Sequence, residues 1–306
     1  MKQLRFVLVA LLVCVAGVAH ADKYNEGLKA YKAGDYKTAI AMWRTSAEQG
    51  NANAQYNLGV LYRDGQGVPQ NYAEAVKWLR KAADQGNTFA QHNLGIMYDQ
   101  GQGVPLNYEE AVKWYRKAAG LGNLRALFNL GMSYHDGQGV PQNYEEAVKL
   151  WRKAAEQGEV RSQYNLGIAH NDGQGVPQNY AKAADWFRKA AEQGFDAAQF
   201  SLGVLYYNGQ GVAQNYEEAA KWNRKAAEQG YAPAQYNLGN AYAKGHGFPQ
   251  NNVLAYMLFS LAATNGLKEA AHNRDFLQKK MTSAEIAKGQ VLATQWKRGT
   301  SLPTSY

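Results

Sequence analysis

The sequence predicts an all-α fold, a solenoid in which pairs of helices repeat along the chain. Three recurring segments lead to this prediction. A Leu-Gly pair, first seen at Leu58-Gly59, returns every 36 residues, a Gly-x-Gly-Val-Pro loop follows it, and a segment rich in tryptophan, lysine and alanine follows the loop. Units this short bury their apolar faces only against their neighbours, which defines a solenoid. The later copies of the pair are Leu94-Gly95, Leu130-Gly131, Leu166-Gly167, Leu202-Gly203 and Leu238-Gly239.

Residues 1–21 are predicted to be a cleaved secretory signal peptide rather than part of the fold. Lys2 and Arg5 precede the apolar run 6–18, and the small-x-small triplet 19–21 follows it. The run is shorter than the roughly 20 residues that span a bilayer as a helix. We therefore expect export, to the periplasm or beyond it, and no stable membrane insertion after cleavage.

The single cysteine, Cys14, lies within this segment. A lipoprotein would carry its lipid on Cys14, but Val13 stands where processing needs a small residue, so cleavage after Ala21 is the preferred interpretation. The processed chain would contain no thiol, which excludes disulfide scaffolds, thiolate metal clusters and cysteine nucleophiles. Loss of Lys2 and Arg5 would lower the formal net charge from +8 to +6, a charge too diffuse to indicate nucleic-acid binding.

Residues 22–51 are predicted to form an N-terminal capping unit. Gly34-Asp35-Tyr36 replaces the long glycine loop there, whereas Ala39 and Arg44 already match the columns of the later units. The end units of a solenoid are expected to depart from the repeat because they cover it against water.

Six units over residues 52–267 are each predicted to contain two helices. In the first helix of the first unit, Ala54, Leu58 and Tyr62 share one face at a spacing of four residues. Gly59 lies beside Leu58 in mid-helix, where glycine costs about 1 kcal/mol relative to alanine. Its return in all six units indicates that a neighbouring helix comes too close for a β-carbon.

The glycine-rich loop at residues 65–69 is predicted to end the first helix. Glycine permits left-handed backbone angles, and proline cannot continue the hydrogen-bond ladder. Asn71 is expected to cap the second helix. That helix is expected to pack through Leu79 and to stop near Gly86.

Residues 268–306 are predicted to be a C-terminal helical cap and tail. The repeat pattern is lost after Gly266. Thr282 or Ser283 is expected to cap a last helix that carries Ile286 on its apolar side.

The most regular residues of the unit are, in its first copy, Tyr56-Asn57-Leu58-Gly59, Tyr62, Gly65, Gly67-Val68, Ala75, Trp78 and Lys81-Ala82-Ala83. This unit resembles the Sel1-like repeat, a relative of the tetratricopeptide repeat, and the capping unit resembles a plain tetratricopeptide repeat. The resemblance implies a right-handed superhelix of antiparallel helix pairs whose concave face, lined by the first helices, binds other proteins. Exported bacterial members of the family resemble scaffolds of cell-envelope complexes, regulators, or factors that engage host proteins.

Asparagine recurs at one position of the first helices, with Ser201 as the exception. An amide side chain both donates and accepts, so a row of amides suits capture of a partner's backbone. The alternative is that each asparagine bonds locally within its own repeat. The candidate residues are Asn57, Asn93, Asn129, Asn165 and Asn237.

An aromatic stripe precedes these asparagines. It is interpreted either as a row of anchors for a partner or as packing between adjacent units. The candidate residues are Tyr56, Phe128, Tyr164, Phe200 and Tyr236, with His92 in the same column.

Variable columns are further candidates, because the repeat itself does not dictate their residues. Arg125 and Arg161 lie one repeat apart, where they would receive an acidic side chain or a C-terminal carboxylate. Solvated surface arginines are the alternative interpretation.

The sequence contains no pattern that indicates catalysis. The histidines show no metal-ligand spacing, and the glycine loops lack the strand and the Lys-Ser/Thr ending of a phosphate-binding loop. We therefore expect no enzymatic activity, no cofactor and no metal, and a monomer whose partner is a protein or peptide and not a nucleic acid. The leading hypothesis is a cell-envelope scaffold or adaptor. The alternatives are a released or surface-exposed factor that engages host proteins and, third, a cell-wall or β-lactam enzyme.

Overall fold

A computed structural model describes residues 23–304, and every regular element within that range is an α-helix. The all-α solenoid of packed helix pairs is thereby confirmed. The predicted signal peptide at residues 1–21 lies outside the described range, so it stays a prediction. The helices are α1 (23–32), α2 (Tyr36–Glu48), α3 (Ala52–Asp64), α4 (Tyr72–Asp84), α5 (Thr88–Gln100), α6 (Tyr108–Gly120), α7 (Leu124–Asp136), α8 (Tyr144–Ala155), α9 (Val160–Asp172), α10 (Tyr180–Glu192), α11 (Asp196–Asn208), α12 (Tyr216–Glu228), α13 (Ala232–Lys244), α14 (Asn252–Thr264), α15 (Lys268–Gln278) and α16 (Ser283–Gln295).

The chain divides into two compact units, the first ending at Leu150 and the second beginning at Trp151. In the first, each helix from α2 to α6 packs against the next. Its core contains the predicted apolar column, because Leu58 and Leu94 are fully buried. Trp43 and Trp78 of the neighbouring helices close over Leu58 in the same cluster.

The second unit has the same construction. Helices α9 and α10, α11 and α12, and α13 and α14 form packed pairs, and consecutive pairs contact each other. Leu202 and Leu238 are fully buried in it. Helix α14 is buried on most of its surface, because α13, α15 and α16 all pack against it.

The mid-helix glycines lie where a second helix crosses closely, as the sequence predicts. A β-carbon on Gly59 would come within 2.6 Å of Leu79 Cγ, and one on Gly95 within 2.5 Å of the Tyr115 ring. Real β-carbons essentially never approach so closely, so the crossing requires glycine.

The predicted helix ends are also observed. Gly65 caps α3 in a left-handed conformation with φ 69°. Asn71 caps α4, and its side chain accepts a hydrogen bond of 3.0 Å from the backbone N–H of Glu74. At the C-terminal end Thr282 caps α16 and forms a reciprocal capping box with Glu285.

The residues after α16 fold back onto α12 of the same unit. The backbone N–H of Gly299 donates to the carbonyl oxygen of Glu228 at 2.7 Å, and that of Leu302 donates to its side-chain Oε1 at 3.0 Å. Arg224 Nη1 donates to the Leu302 carbonyl oxygen at 2.9 Å, and Leu302 is buried. The tail is thus fastened to α12, a contact that no sequence pattern indicates.

Candidate functional site

The asparagine column of the first unit divides into two environments. Asn57 is half-buried, Asn93 is buried, and neither makes a side-chain hydrogen bond to another residue within 23–304. Asn129 Nδ2 lies 3.1 Å from His92 Nε2, and its side chain also meets the Tyr115 hydroxyl. Burial raises the pKa of Tyr115 far above its ordinary value, so its hydroxyl stays protonated. Asn129 therefore has a local structural role, whereas the amide of Asn57 is unoccupied.

The second unit presents the same column at Asn165 and Asn237, both half-buried. Asn237 has no side-chain hydrogen-bond partner among the described residues, and it lines a cavity. Ser201 takes the place of the asparagine between them and meets the hydroxyl of Tyr164. In the second unit, therefore, Asn237 is the residue of this column whose amide matches that of Asn57 in having no side-chain hydrogen bond among the described residues.

Tyr56 and Tyr164 of the aromatic stripe pack towards the next helix pair along the chain while staying half-buried. In the first unit the Tyr56 ring lies 6.0 Å from that of Phe89, and Phe128 is half-buried. In the second, Tyr164 lies 5.1 Å from Phe195.

Two more members of the stripe also pack against a ring. The Phe200 ring lies 5.5 Å from that of Tyr231, just before α13, whereas the Tyr236 ring packs within its own helix pair, 5.8 Å from that of Phe259 on α14. Each ring therefore gives part of its surface to packing and keeps part accessible.

The two candidate arginines differ in their surroundings. Arg125 is exposed and forms no ion pair within the described chain. Arg161 Nε donates to Glu159 Oε1 at 3.0 Å, so part of its charge is already balanced. The two lie in different compact units.

A ladder of side-chain amides, which the sequence analysis missed, joins the two helices of a pair: the residue that follows the second helix donates to a buried glutamine of the first helix. Gln85 Nε2 donates to Gln55 Oε1 at 2.7 Å, and Gln193 Nε2 donates to Gln163 Oε1 at the same distance. The second unit continues it from Gln229 to Gln199 and from Asn265 to Gln235. The recurrence of glutamine at both positions was visible in the sequence, but not that the two columns meet 30 residues apart.

A second overlooked ladder joins arginine to tyrosine 18 residues later. Arg44 Nη2 donates to the Tyr62 hydroxyl at 2.6 Å, and Arg116 Nη2 donates to that of Tyr134 at 2.9 Å. The remaining pairs are Arg80 with Tyr98, Arg188 with Tyr206 and Arg224 with Tyr242.

His170 interrupts this second ladder. It occupies the tyrosine column, is buried, and its Nδ1 has no hydrogen-bond partner in the part of the chain that the structure describes. Burial lowers the pKa of His170, and the nearby positive charges of Lys182 and Arg152 lower it further.

Residues 23–304 contain neither a membrane-spanning helix nor a cluster of metal-ligating side chains. No helix there is long and apolar enough to cross a membrane. No three histidine, cysteine, aspartate or glutamate side chains lie together in a way that would hold a metal ion.

Comparison with protein families and solved structures identifies the repeat. The Sel1 repeat model matches seven successive segments, residues 19–51, 52–87, 88–123, 124–159, 160–195, 196–231 and 232–267. The first of these overlaps the segment that the sequence analysis assigned to an N-terminal capping unit. The chain matches no curated protein.

Two solved structures are similar over most of the chain. A Sel1 repeat protein from Oxalobacter formigenes is 34% identical with a TM-score of 0.72, and the match covers 79% of this chain and 96% of that one. The protein c5321, a protective antigen present in uropathogenic Escherichia coli strains, is 28% identical with a TM-score of 0.51, and the match covers 90% and 84%.

Proposed function

Since the chain belongs to the Sel1 repeat family, we propose that it is a non-enzymatic scaffold or adaptor of the cell envelope. It would bind a peptide segment or a partner protein on the face of its first helices, which is expected to be concave. Sel1 repeats typically serve as scaffolds for protein interactions and are generally non-catalytic. The envelope setting, the binding face and the partner are the proposal.

The observation that carries the proposal is the pair of unoccupied amides, Asn57 in the first unit and Asn237 in the second. Each is half-buried on a first helix, and each follows a half-exposed tyrosine, Tyr56 and Tyr236. An amide held by a rigid helix and free of local partners suits a hydrogen bond to an incoming backbone.

The test is site-specific crosslinking from the two kinds of helix. A photoreactive residue at exposed position 53, one turn before Asn57 on α3, probes the first-helix face without removing the Asn57 amide, and one at exposed Lys77 probes α4. In cells that produce the protein, we expect a discrete crosslinked partner from position 53 and none from position 77. Equal crosslinking from both positions would contradict the proposed face.

Alanine variants separate binding from stability. Asn57→Ala removes no side-chain hydrogen bond seen in the described part of the chain, so partner capture should fall while the melting temperature stays the same. Asn129→Ala is the matched control, because loss of its contacts with His92 and Tyr115 should lower the melting temperature. Capture that survives Asn57→Ala unchanged would show that the column is structural.

Export is part of the same proposal. The protein recovered from its native cells should begin at Asp22 and fractionate with the periplasm. A monomer by sedimentation, with no turnover of cell-wall or β-lactam substrates, is also expected. Recovery with residues 1–21 still attached would contradict this part.

A second candidate function follows from the Escherichia coli relative, which is described as a protective antigen. A released or surface-exposed factor that engages host proteins would use the same first-helix face in another location. Recovery from the culture medium, or accessibility on intact cells to an added protease, would favour this candidate over the envelope scaffold.

A further inference from the structure

A cavity of about 290 Å³ lies in the second unit between α11, α12 and α13. Its polar lining includes Asn223 of α12, Asn237, Asn240 and Lys244 of α13, and His246 just beyond α13. The volume is close to the lower end of the roughly 300–1,000 Å³ range of small-ligand pockets. No aspartate or glutamate is among the lining residues, so the cavity wall favours a negative or electron-rich group.

The polarity of this cavity comes from positions where the repeat pattern is broken. Asn223 stands in a column whose other residues are large and apolar, and Asn240 stands in a column of aliphatic and methionine side chains. The residues in the first column are Leu79, Tyr115, Trp151, Phe187 and Phe259, and those in the second are Val60, Ile96, Met132, Ile168 and Val204.

Two further breaks add basic groups to the same wall. Lys244 stands where the earlier 36-residue repeats have an acid or an amide, and His246 stands where they have glutamine. The residues in the first column are Asp64, Gln100, Asp136, Asp172 and Asn208, and those in the second are Gln66, Gln102, Gln138, Gln174 and Gln210. Packing of the repeat does not need the changes at positions 223, 240, 244 and 246, since the other repeats pack without them.

Asn223 is a buried lining residue of the cavity, and only one of the two polar atoms of its side chain makes a hydrogen bond to the described residues. Its side chain is 5% exposed, and its Nδ2 donates to the Ala219 carbonyl oxygen at 2.8 Å. Its Oδ1 is buried and accepts no hydrogen bond within the described chain. An unpaired buried acceptor costs about 1–3 kcal/mol, a cost that a ligand's N–H would remove.

Other lining groups are positioned as donors. Asn240 Oδ1 accepts from Asn273 Nδ2 at 3.3 Å, which leaves the Asn240 amide nitrogen available. Asn237 has no side-chain hydrogen-bond partner within residues 23–304, and Lys244 is exposed. The ring of His246 stacks on that of Tyr216 with centroids 4.5 Å apart, which holds one wall in place.

We propose that this cavity binds a carboxylate that carries an amide N–H beside it, namely the C-terminal residue of a polypeptide or a free N-acylated amino acid. The carboxylate accepts from Lys244 and from the amides of Asn237 and Asn240, and the ligand N–H donates to Asn223 Oδ1. This goes beyond the scaffold function, since it assigns a small ligand to one cavity. Asn237 belongs to both proposals, whereas Asn57 belongs to the scaffold proposal alone and Asn223 to the cavity alone.

The test is calorimetric titration of the purified protein with paired probes. N-acetyl-L-alanine carries both groups, and N-acetyl-L-alaninamide lacks only the charge. We expect the acid to bind and the amide to bind at least tenfold more weakly, because hydrogen bonds to a charged acceptor are stronger. A decapeptide with a free C-terminal alanine, compared with its amidated form, distinguishes the sources: it binds as well as the small acid if polypeptide ends are the ligand, and not at all if only free acids fit.

Two variants complete the test. Asn223→Phe fills the cavity with the residue that stands at Phe187 and Phe259, so the fold should be kept and binding of the acid lost. Lys244→Gln should weaken binding of the acid at least tenfold without a change in melting temperature. Equal affinity for acid and amide, undiminished binding by Asn223→Phe, or no binding of any probe at millimolar concentration would each overturn the proposal. None of these outcomes depends on Asn57, so failure here is distinct from failure of the scaffold proposal.

Discussion

Replacing Leu121 by glutamine should stabilise the first unit, because it restores a missing rung of the glutamine ladder. Position 121 matches position 85, whose glutamine donates to Gln55 at 2.7 Å. Gln91 is the corresponding acceptor, is buried, and its Oε1 has no hydrogen-bond partner among residues 23–304. Leu121 is 61% exposed, so little apolar burial is lost when it is replaced.

The magnitude follows from the cost of the unpaired acceptor. A net hydrogen bond contributes about 0.5–1.5 kcal/mol, and a buried unsatisfied acceptor costs about 1–3 kcal/mol. The longer side chain loses conformational freedom when Leu121→Gln forms the bond, which offsets part of the gain. We expect the free energy of unfolding to rise by about 1–2 kcal/mol. Urea unfolding should show a higher midpoint with an unchanged slope.

Two controls isolate the ladder. Leu121→Ala removes the exposed leucine without adding a donor and should leave the midpoint nearly unchanged. In a Gln91→Leu background, which copies the leucine found at position 127, Leu121→Gln should bring no gain. The double-mutant cycle then gives a coupling of about 1 kcal/mol or more. A gain no larger than that of Leu121→Ala, or one that persists without Gln91, would refute the reasoning.

Two further predictions concern buried groups and tight turns. The pKa of His170 is lowered below its ordinary value of 6.5, so the unfolded chain binds a proton more readily than the folded one. The free energy of unfolding should therefore fall as the pH drops through about 6.5 and on towards the folded-state pKa. His170→Tyr should reduce this fall in acid titrations followed by circular dichroism, and equal pH dependence of the two proteins would contradict the prediction. Both Gly103 and Gly86 have positive φ, but a β-carbon on Gly103 would lie 2.4 Å from the backbone of Tyr72, whereas Gly86 faces open space. Gly103→Ala should therefore destabilise the protein two- to threefold more than the roughly 1 kcal/mol expected for Gly86→Ala. Equal shifts in the urea midpoint would show that the contact relaxes freely.

Local features of the fold were predictable because they repeat and act over short distances. Gly59, Gly65 and Asn71 each have one physical reason for their identity, a close crossing, a left-handed cap and a backbone N–H to satisfy, and each reason can be recognised from neighbouring residues. The structure shows all three.

The side-chain pairings between helices were not predictable in the same way. The donation from Gln85 to Gln55 depends on how two helices approach each other, which periodicity does not specify. The docking of Leu302 on α12 involves a segment without any repeat pattern. For the candidate site, the sequence identified the asparagine column, but not that Asn129 is occupied by His92 while Asn57 is free.

Buried polar atoms without partners mark the places where the repeat alone does not explain the residue. Within 23–304 these atoms belong to Gln91, Trp114, His170, Asn223 and Asn252. All but Trp114 either break a column or face a break, because Gln91 lacks its glutamine donor, His170 and Asn252 replace tyrosine, and Asn223 replaces a large apolar residue. A unit of a solenoid interacts only with its neighbours, so each break costs stability locally and leaves the other units intact.

Restoring the column residue at each break therefore separates two causes. Where the break serves no ligand, restoring the column residue should give a more stable protein with unchanged binding, as expected for Leu121→Gln. Where the break forms a binding site, the restored protein should be stable but should no longer bind its ligand, as expected for Asn223→Phe. Stability and binding measured on the same variants thus assign a role to each departure, and these departures, rather than the regular columns, are where the specificity of this chain is to be sought.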